Sequence, residues 1–127
     1  KVLKNNIYSY FKHDCKSKSS ENAWTVFLDY QNKCKGKGYS NGYMAFNIRA
    51  TNEFRHKRCF AYCVNLYQNP MDIAFFTDKG VKIDQDAWAL SEMIQFIFRG
   101  CIRDGKPMNI YIPSSRMRNL LIEWLNN

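Results

Sequence analysis

The chain has 127 residues, of which 46% are hydrophobic and 16% are aromatic, and its formal net charge is +8. This length suits one domain, and this composition supplies enough apolar side chains for a packed core, which excludes an intrinsically disordered chain. No apolar run approaches the roughly 20 residues that a membrane-spanning helix needs. We therefore expect a cytoplasmic protein that has no membrane partner.

The positive charge is concentrated in the first half of the chain. Residues 1–60 hold 12 Lys and Arg against 4 Asp and Glu. Residues 61–127 hold 7 Lys and Arg against 7 Asp and Glu. Charge placed in this way points to a polyanionic partner more than to general solubility, and nucleic acid is the commonest such partner. The alternative is a solvated basic surface that has no partner.

The predicted elements of the first half begin with residues 1–23, which we assign as an N-terminal extension ending in the polar stretch "HDCKSKSSEN". A strand is predicted over 24–30, because "WTVFLDY" is β-branched and aromatic. Residues 31–42, "QNKCKGKGYSNG", hold three glycines and three lysines and predict a flexible, basic, Gly-rich loop. The alternation in "YMAFNIRA" predicts a second strand over 43–50.

In the second half, "CFAYCVNLY" is either a strand or a helix, because short apolar runs do not distinguish the two. "MDIAFFTDKG" predicts a short helix that ends at Gly80. The clearest helix runs from Gln85 to Arg103, with Asp84 as its N-cap. "MNIYIP" predicts a strand, and the last helix is capped by Ser114 or Ser115.

Strands and helices alternate through this half. This order predicts an α/β fold over residues 1–127, a single layered domain with a largely parallel central sheet flanked by helices.

The five cysteines are an odd number, and no secretion signal accompanies them. We therefore expect reduced thiols. His56, Cys59 and Cys63 are close in sequence but lack the ligand spacing of a zinc site, so no metal site is predicted.

Three polar side chains interrupt the otherwise apolar helix predicted from Gln85 to Arg103. Gln95, Arg99 and Arg103 are spaced i, i+4 and i+8, so on a continuous helix they share one face. One interpretation is the solvated face of an amphipathic helix, with Glu92 near enough to pair with Arg99.

A second interpretation comes from a family resemblance. The stretch "QFIFRGCIRDGKPMNIYIP" resembles motif VI of superfamily 2 helicases, in which a glutamine precedes two arginines near the end of a RecA-like lobe. "RATNEFRHK" is similar to motif V of the same family, and the resemblance covers about residues 24–112. The second arginine here falls four residues after the first instead of three, and Phe98 stands where the family has a glycine.

This resemblance implies that Gln95, Arg99 and Arg103 face a nucleotide held by another lobe, where guanidinium groups stabilise charge on the transferring phosphate. The sequence has neither a GxxxxGK[ST] loop to hold phosphates nor an acidic strand of the Walker B type. We therefore expect no ATPase activity and no cofactor for this chain alone, and ATP only if a second lobe is present.

The first functional hypothesis is a nucleic-acid-binding, helicase-type C-terminal lobe of a replication or mobile-element protein, acting on single-stranded or duplex DNA or RNA. Backbone contacts from basic side chains would give salt-dependent, sequence-tolerant binding. The predicted contact residues are Lys33, Lys35 and Lys37 on the Gly-rich loop, and Arg49, Thr51, Asn52, Arg55, Lys57 and Arg58 along the track that follows.

The second hypothesis is a stand-alone interaction or inhibitor protein, of phage or mobile-element type, that docks on a protein or nucleoprotein partner. Arg116, Met117, Arg118 and Trp124 would form its anchor patch. The alternative is that Met117, Leu120, Leu121 and Trp124 face the core.

The third hypothesis is an independent enzyme. Its local candidates, Asp14 beside His13 and Asp84 with Asp86, are not diagnostic of any chemistry, so no catalytic residue is assigned.

Overall fold

The structure, a computed structural model, describes residues 2–45, 54–82 and 84–126. Three parallel strands form one sheet in the order β1-β2-β3. The strands are β1 (Asn22–Thr25), β2 (Cys59–Tyr62) and β3 (Asn109–Tyr111). The helices are α1 (Val2–Ser9), the single turn α2 (Gln31–Cys34), α3 (Pro70–Asp78), α4 (Gln85–Ile97) and α5 (Ser115–Leu125). This architecture confirms the predicted α/β fold with a parallel sheet flanked by helices.

The sheet is covered on both faces, because side chains alternate along each strand. Ala23, Phe60 and Tyr62 point to one face, where they pack with the buried residues of α4 and α5. Trp24 and Ala61 point to the other face, where they pack with α1 and the turn that follows it. Three layers result, and the two apolar clusters are separated by the sheet.

The central strand β2 resolves the ambiguous run "CFAYCVNLY". All four of its residues are fully buried, and it pairs with β1 through Cys59–Asn22 and with β3 through Cys59–Asn109. A parallel strand buried on both faces is apolar at nearly every position, so it shows no alternation in sequence. The tertiary position of the run therefore decided its structure.

The segment 1–23, predicted as an N-terminal extension, carries α1 and leads directly into β1. Ile7 and Phe11 are buried in the cluster on the α1 face of the sheet. Tyr10 stacks on Tyr111 of β3, with 5.3 Å between the ring centroids. The described part of this segment therefore contributes to the core.

The first predicted strand is shifted along the chain. β1 covers Asn22–Thr25, and a 3₁₀ turn at Leu28–Tyr30 ends the extended backbone that was predicted to reach residue 30. Of the second predicted strand, Tyr43 forms an isolated parallel bridge with Trp24, and residues 46–50 lie outside the described ranges.

The helix capping predictions are confirmed. Asp84 Oδ1 accepts a hydrogen bond from Ala87 N at 3.0 Å, and Ser114 Oγ accepts one from Met117 N at 3.3 Å. The predicted short helix is α3, which begins with Asn69 as N-cap and is followed by Gly80 at φ 79°. These signals are local, because each cap satisfies backbone N–H groups within its own first turn.

The prediction of one helix from Gln85 to Arg103 is wrong beyond Ile97. Gly100 has extended backbone angles of φ −91° and ψ −161°, and a 3₁₀ turn follows at Cys101–Asp104. Cys101 N donates to Lys57 O at 2.9 Å, which ties this segment to the start of β2. A Cβ at Gly100 would lie 2.5 Å from a ring carbon of Phe60, so only glycine fits this close approach.

None of the described helices is long and apolar enough to cross a membrane. All five cysteines are free.

A stability prediction follows from the contact between Gly42 and the start of β1. A Cβ on Gly42 would lie 2.1 Å from the carbonyl oxygen of Asn22, which is backbone and cannot move aside. We expect Gly42→Ala to lower the free energy of unfolding by about 1–3 kcal/mol, the usual cost of overpacking. Urea unfolding followed by circular dichroism measures this change.

Asn41→Ala is the matched control, because Asn41 is exposed in the same 3₁₀ turn. Equal stability of the two variants would contradict the close packing of Gly42 on β1.

Candidate nucleic-acid interface

A basic cavity lies at the amino end of β1. Its volume is about 390 Å³, it is open to solvent on one side, and it is bordered by the end of α1, the segment that enters β1, and the Gly-rich loop. Three lysines line it, together with polar and aromatic side chains: Lys12, Lys16, Lys37, Ser17, Ser19, Asn22, Tyr8 and Phe11. Among the described residues, no carboxylate lines this cavity, so its walls are positive.

The buried side chain of Asn22 joins the two segments that form the cavity. Its Nδ2 donates to the carbonyl oxygen of Gly38 at 2.9 Å, and its Oδ1 accepts a short hydrogen bond from Ser17 Oγ. Asn22 is only 1% exposed, so leaving either group unpaired would cost about 1–3 kcal/mol. The amide therefore fixes the distance between the entering segment and the Gly-rich loop.

The backbone at Lys16 is in the left-handed region, with φ 49°. A residue other than glycine adopts this conformation at a cost, and it persists where neighbouring contacts over-determine it. Here Cys15 N donates to Tyr10 O at 2.9 Å and Ser17 N donates to Phe11 O at 3.2 Å, on either side of Lys16. These two bonds place Lys16 on the cavity wall.

The Gly-rich loop 31–42 is anchored by its aromatic residue. Tyr39 is fully buried, packs edge-on against Trp24 with 5.3 Å between ring centroids, and donates through its hydroxyl to Cys34 O. Burial raises the pKa of Tyr39 to about 12, so the hydroxyl stays a donor at neutral pH. Cys34 and Tyr39 therefore attach this loop to the buried cluster on the α1 face of the sheet. The flexibility expected for the rest of the loop remains a prediction.

The lysines predicted on this loop are all exposed. Lys37 lines the cavity, and Lys33 lies with its Nζ 5.7 Å from the Tyr30 ring centroid. Lys35 follows directly after α2. Because Lys37 belongs both to the loop and to the cavity, the loop lysines and the cavity lysines form one basic surface, which we call the lysine surface.

The basic residues predicted to line a track before β2 differ from the lysine surface, because the described arginines among them are paired with carboxylates. Arg55 Nε donates to both carboxylate oxygens of Asp104, at 3.0 and 2.9 Å, and Arg58 Nε donates to Glu21 Oε2 at 2.7 Å. Hydrogen bonds from these arginines lower the pKa values of the two carboxyl groups, so both pairs are ionised at neutral pH. The guanidinium groups are therefore already occupied by carboxylates.

Lys57 is 8% exposed, and its burial lowers its pKa. It is therefore not positioned as a surface contact. Arg49, Thr51 and Asn52, predicted to belong to the same track, lie outside the described residues.

The glutamine and two arginines do not share one helix face, because α4 ends before Arg99. Gln95 is exposed on α4, and its Nε2 donates to Ser91 Oγ at 3.3 Å. Arg99 is half-buried in the turn after α4, and its buried Nε has no hydrogen-bond partner within the described ranges. Arg103 is exposed in the 3₁₀ turn beyond Gly100.

The predicted anchor patch on α5 is divided between core and surface. Met117 is fully buried and packs in the cluster on the α4 face, as the core interpretation predicts, whereas Trp124 is 43% exposed. Arg116 donates to Asn65 Oδ1 at 2.8 Å and to Leu66 O at 2.7 Å, and its guanidinium lies 4.0 Å from the Tyr67 ring centroid. Arg116 is therefore a cross-link inside the domain.

Lys12 and Lys16 are the cavity residues that sequence reasoning missed. They lie in the segment treated as an extension, and nothing local shows that this segment packs beside the Gly-rich loop. The basic run "KHDCKSKSS" was the available signal. In the described parts of the chain, no group of three or more His, Cys, Asp or Glu is placed to hold a metal ion.

Comparison with known proteins places this fold in a family. The model of the YonV C-terminal Rossmann-like domain matches residues 1–125. The SPbeta prophage-derived protein YonV of Bacillus subtilis (strain 168) is 52% identical over 127 residues, which is all of this chain and 31% of that protein. The chain thus spans about a third of the length of the curated relative it matches, and no solved structure matches it significantly.

These matches agree with the coarse form of the family resemblance, a Rossmann-like α/β fold, and leave its helicase-type form as a hypothesis. The chain belongs to the family of YonV C-terminal Rossmann-like domains.

Proposed function

We propose that this chain is a nucleic-acid-binding domain of a phage or mobile-element protein. The observation that carries the proposal is the lysine surface, where the cavity lysines Lys12 and Lys16 join the exposed lysines of the Gly-rich loop. Lysine ammonium groups that have no carboxylate partner in the described part of the chain can replace the counterions of a phosphate backbone. The prophage origin named for the relative agrees with a mobile-element source.

The same surface explains which part of the basic first half is available to a polyanion. Arg55 and Arg58 already have carboxylate partners, so they contribute little attraction beyond their own ion pairs. The lysines of the cavity and the loop carry five of the ten remaining positive charges of residues 1–60. Binding of this kind positions the backbone and does not read base sequence.

The helicase-type lobe is the narrower form of this proposal. It requires a second lobe that supplies the phosphate-binding loop, with Arg99 and Arg103 turned toward the nucleotide. The exposed position of Arg103 supports it. The Nε of Arg99 does not, because it is buried, has no hydrogen-bond partner among the described residues, and is not accessible to a group from another lobe. The break after Ile97 weighs against it, since the three residues no longer lie on one helix face.

A second candidate function is docking on a protein partner, and α3 is the observation that favours it. None of its residues is buried, and Met71 is 80% exposed, while Phe75 and Phe76 are 57% and 42% exposed. An apolar helix is normally covered by other parts of the protein. Uncovered aromatic side chains on α3 suit a protein surface more than a nucleic-acid backbone.

The lysine surface is tested by a pair of matched double variants. Lys35→Ala/Lys37→Ala and Lys79→Ala/Lys82→Ala each remove two positive charges, but only the first pair belongs to the lysine surface. If both loop lysines contact phosphates, the slope of log K against log[salt] should fall by about 1.4–1.8, at ~0.7–0.9 per contact. Fluorescence anisotropy with labelled single-stranded and duplex oligonucleotides over a salt series measures this slope.

Equal weakening by the two pairs would show that affinity follows net charge alone. The absence of binding by the unmodified chain at low salt would overturn the proposal.

The narrower helicase-type form predicts the effect of Arg103→Ala. If Arg103 faces a nucleotide in another lobe, its loss should change the oligonucleotide affinity of the isolated chain by less than about twofold, because a charge that contacts no phosphate of the bound strand contributes only a salt-screened attraction. The same anisotropy assay checks this. A loss as large as that of the loop-lysine variant would place Arg103 on the nucleic-acid track and contradict the nucleotide-facing role.

Docking through α3 predicts the effect of Phe75→Glu/Phe76→Glu. Both side chains are exposed, so we expect the variant to fold and to keep its oligonucleotide affinity, while any protein partner is lost because charges replace the apolar contact. Parallel pull-downs with the unmodified chain and the variant, identified by mass spectrometry, measure this. Identical sets of captured proteins would contradict docking through α3.

A further inference from the structure

The cavity at the amino end of β1 has the shape of a ligand site, in addition to being part of a basic surface. Its volume of about 390 Å³ lies within the ~300–1,000 Å³ of small-molecule sites. Phe11, which is 3% exposed, and Asn22 form its buried part, while Tyr8 is a half-buried wall. The recess is open to solvent above this buried base. A continuous nucleic-acid backbone needs only a basic surface, whereas a recess of this volume with a buried base also accommodates a compact group.

The charge of the cavity indicates which group this is. Three ammonium groups line it, and no carboxylate from the described residues does. An internal phosphodiester carries one negative charge, whereas a phosphomonoester carries about −1.5 to −2 at neutral pH and presents three acceptor oxygens. Each ammonium offers three donors without a fixed direction, which suits a compact, highly charged group.

The three lysines are held by separate local contacts. Lys12 Nζ donates to the Tyr8 hydroxyl at 2.9 Å, and Lys16 is placed by its left-handed backbone. Lys37 precedes Gly38, whose carbonyl oxygen accepts from the Asn22 amide. The Lys12 side chain and the backbone at Lys16 and Lys37 are thus placed before any ligand enters, while the exposed side chains of Lys16 and Lys37 are ordered on binding.

We propose that this cavity binds the terminal phosphomonoester of a nucleotide, either at the end of a nucleic-acid strand or in a free mononucleotide. The inference rests on the proposed nucleic-acid function and names the part of the nucleic acid that the cavity takes. Lys12, Lys16 and Lys37 hold the phosphate, and the half-buried Tyr8 ring, which lines the same cavity, offers a surface on which a base can stack.

The test compares oligonucleotides of one sequence that differ only at the end: 5′-phosphate, 3′-phosphate or hydroxyl at both ends. Anisotropy of an internally labelled strand gives each affinity, and a nucleoside 5′-monophosphate and inorganic phosphate serve as competitors. We expect the strand with the preferred phosphate to bind about tenfold more tightly, the effect of about one charge-assisted hydrogen bond. Competition by the nucleoside monophosphate distinguishes a free nucleotide from a strand end.

Lys16→Gly is the chosen variant, because glycine adopts a φ of 49° without strain and only the charged side chain is lost. Lys18→Ala is the matched control. It also removes one positive charge, and Lys18 lies two residues from Lys16, but its side chain does not line the cavity. Lys16→Gly should abolish the preference for the phosphorylated end, and Lys18→Ala should retain it.

The outcomes separate this inference from the proposed function. Binding that ignores the terminal phosphate overturns the inference and leaves nucleic-acid binding intact. Binding of the nucleoside monophosphate without any oligonucleotide binding overturns the proposed function and supports the phosphate site. Loss of the end preference in both variants contradicts a specific role of the cavity, and no binding of any probe overturns both proposals.

Discussion

The buried amide of Asn22 is the contact on which the rest of the first half depends. One side chain, at the first position of β1, bonds Ser17 on the entering segment and Gly38 on the Gly-rich loop. Its backbone carbonyl oxygen is the surface on which Gly42 packs, and its Cα is paired with Cys59 of the central strand. An unpaired amide in this position would cost about 1–3 kcal/mol, so these segments hold their relative positions together. The lysines on both sides of the cavity are placed by this contact.

The amino and carboxyl ends of the three parallel strands differ in the charged groups that surround them. Ligands of open α/β sheets usually bind beyond the carboxyl ends of the strands, where a Gly-rich loop follows the first strand. Here β1 is followed by Val26, Phe27 and Leu28, and the carboxyl edge is bridged by Arg116, which bonds Leu66 O and lies over Tyr67. The basic cavity is at the amino edge instead. The fold is Rossmann-like, and its basic cavity lies at the amino ends of the strands, opposite to the usual ligand position.

The basic residues of the first half include arginines that are paired with carboxylates inside the domain and lysines that are not. Arg55 and Arg58 tie the segment before β2 to Asp104 and Glu21, so they hold the amino edge of the sheet together. Both pairs are partly exposed, so solvent screens them and they orient the segments more than they stabilise them. The lysines of the cavity and loop have no such carboxylate partners among the described residues, and they are the largest group of charges available to a polyanion at one place.

The sequence alone determined the local structure and the fold class. Asp84 and Ser114 cap their helices through side-chain bonds within one turn, and the alternation of strands and helices predicted the parallel sheet, because these signals act over a few residues. Tertiary structure decided the rest. The helix through Gln95 ends at Ile97, and Gly100 then lies close to Phe60 on the sheet, a contact between distant parts of the chain that no local pattern records. The cavity of Lys12, Lys16 and Lys37 likewise exists only because Asn22 joins two segments that lie more than a dozen residues apart, and no local pattern records that contact.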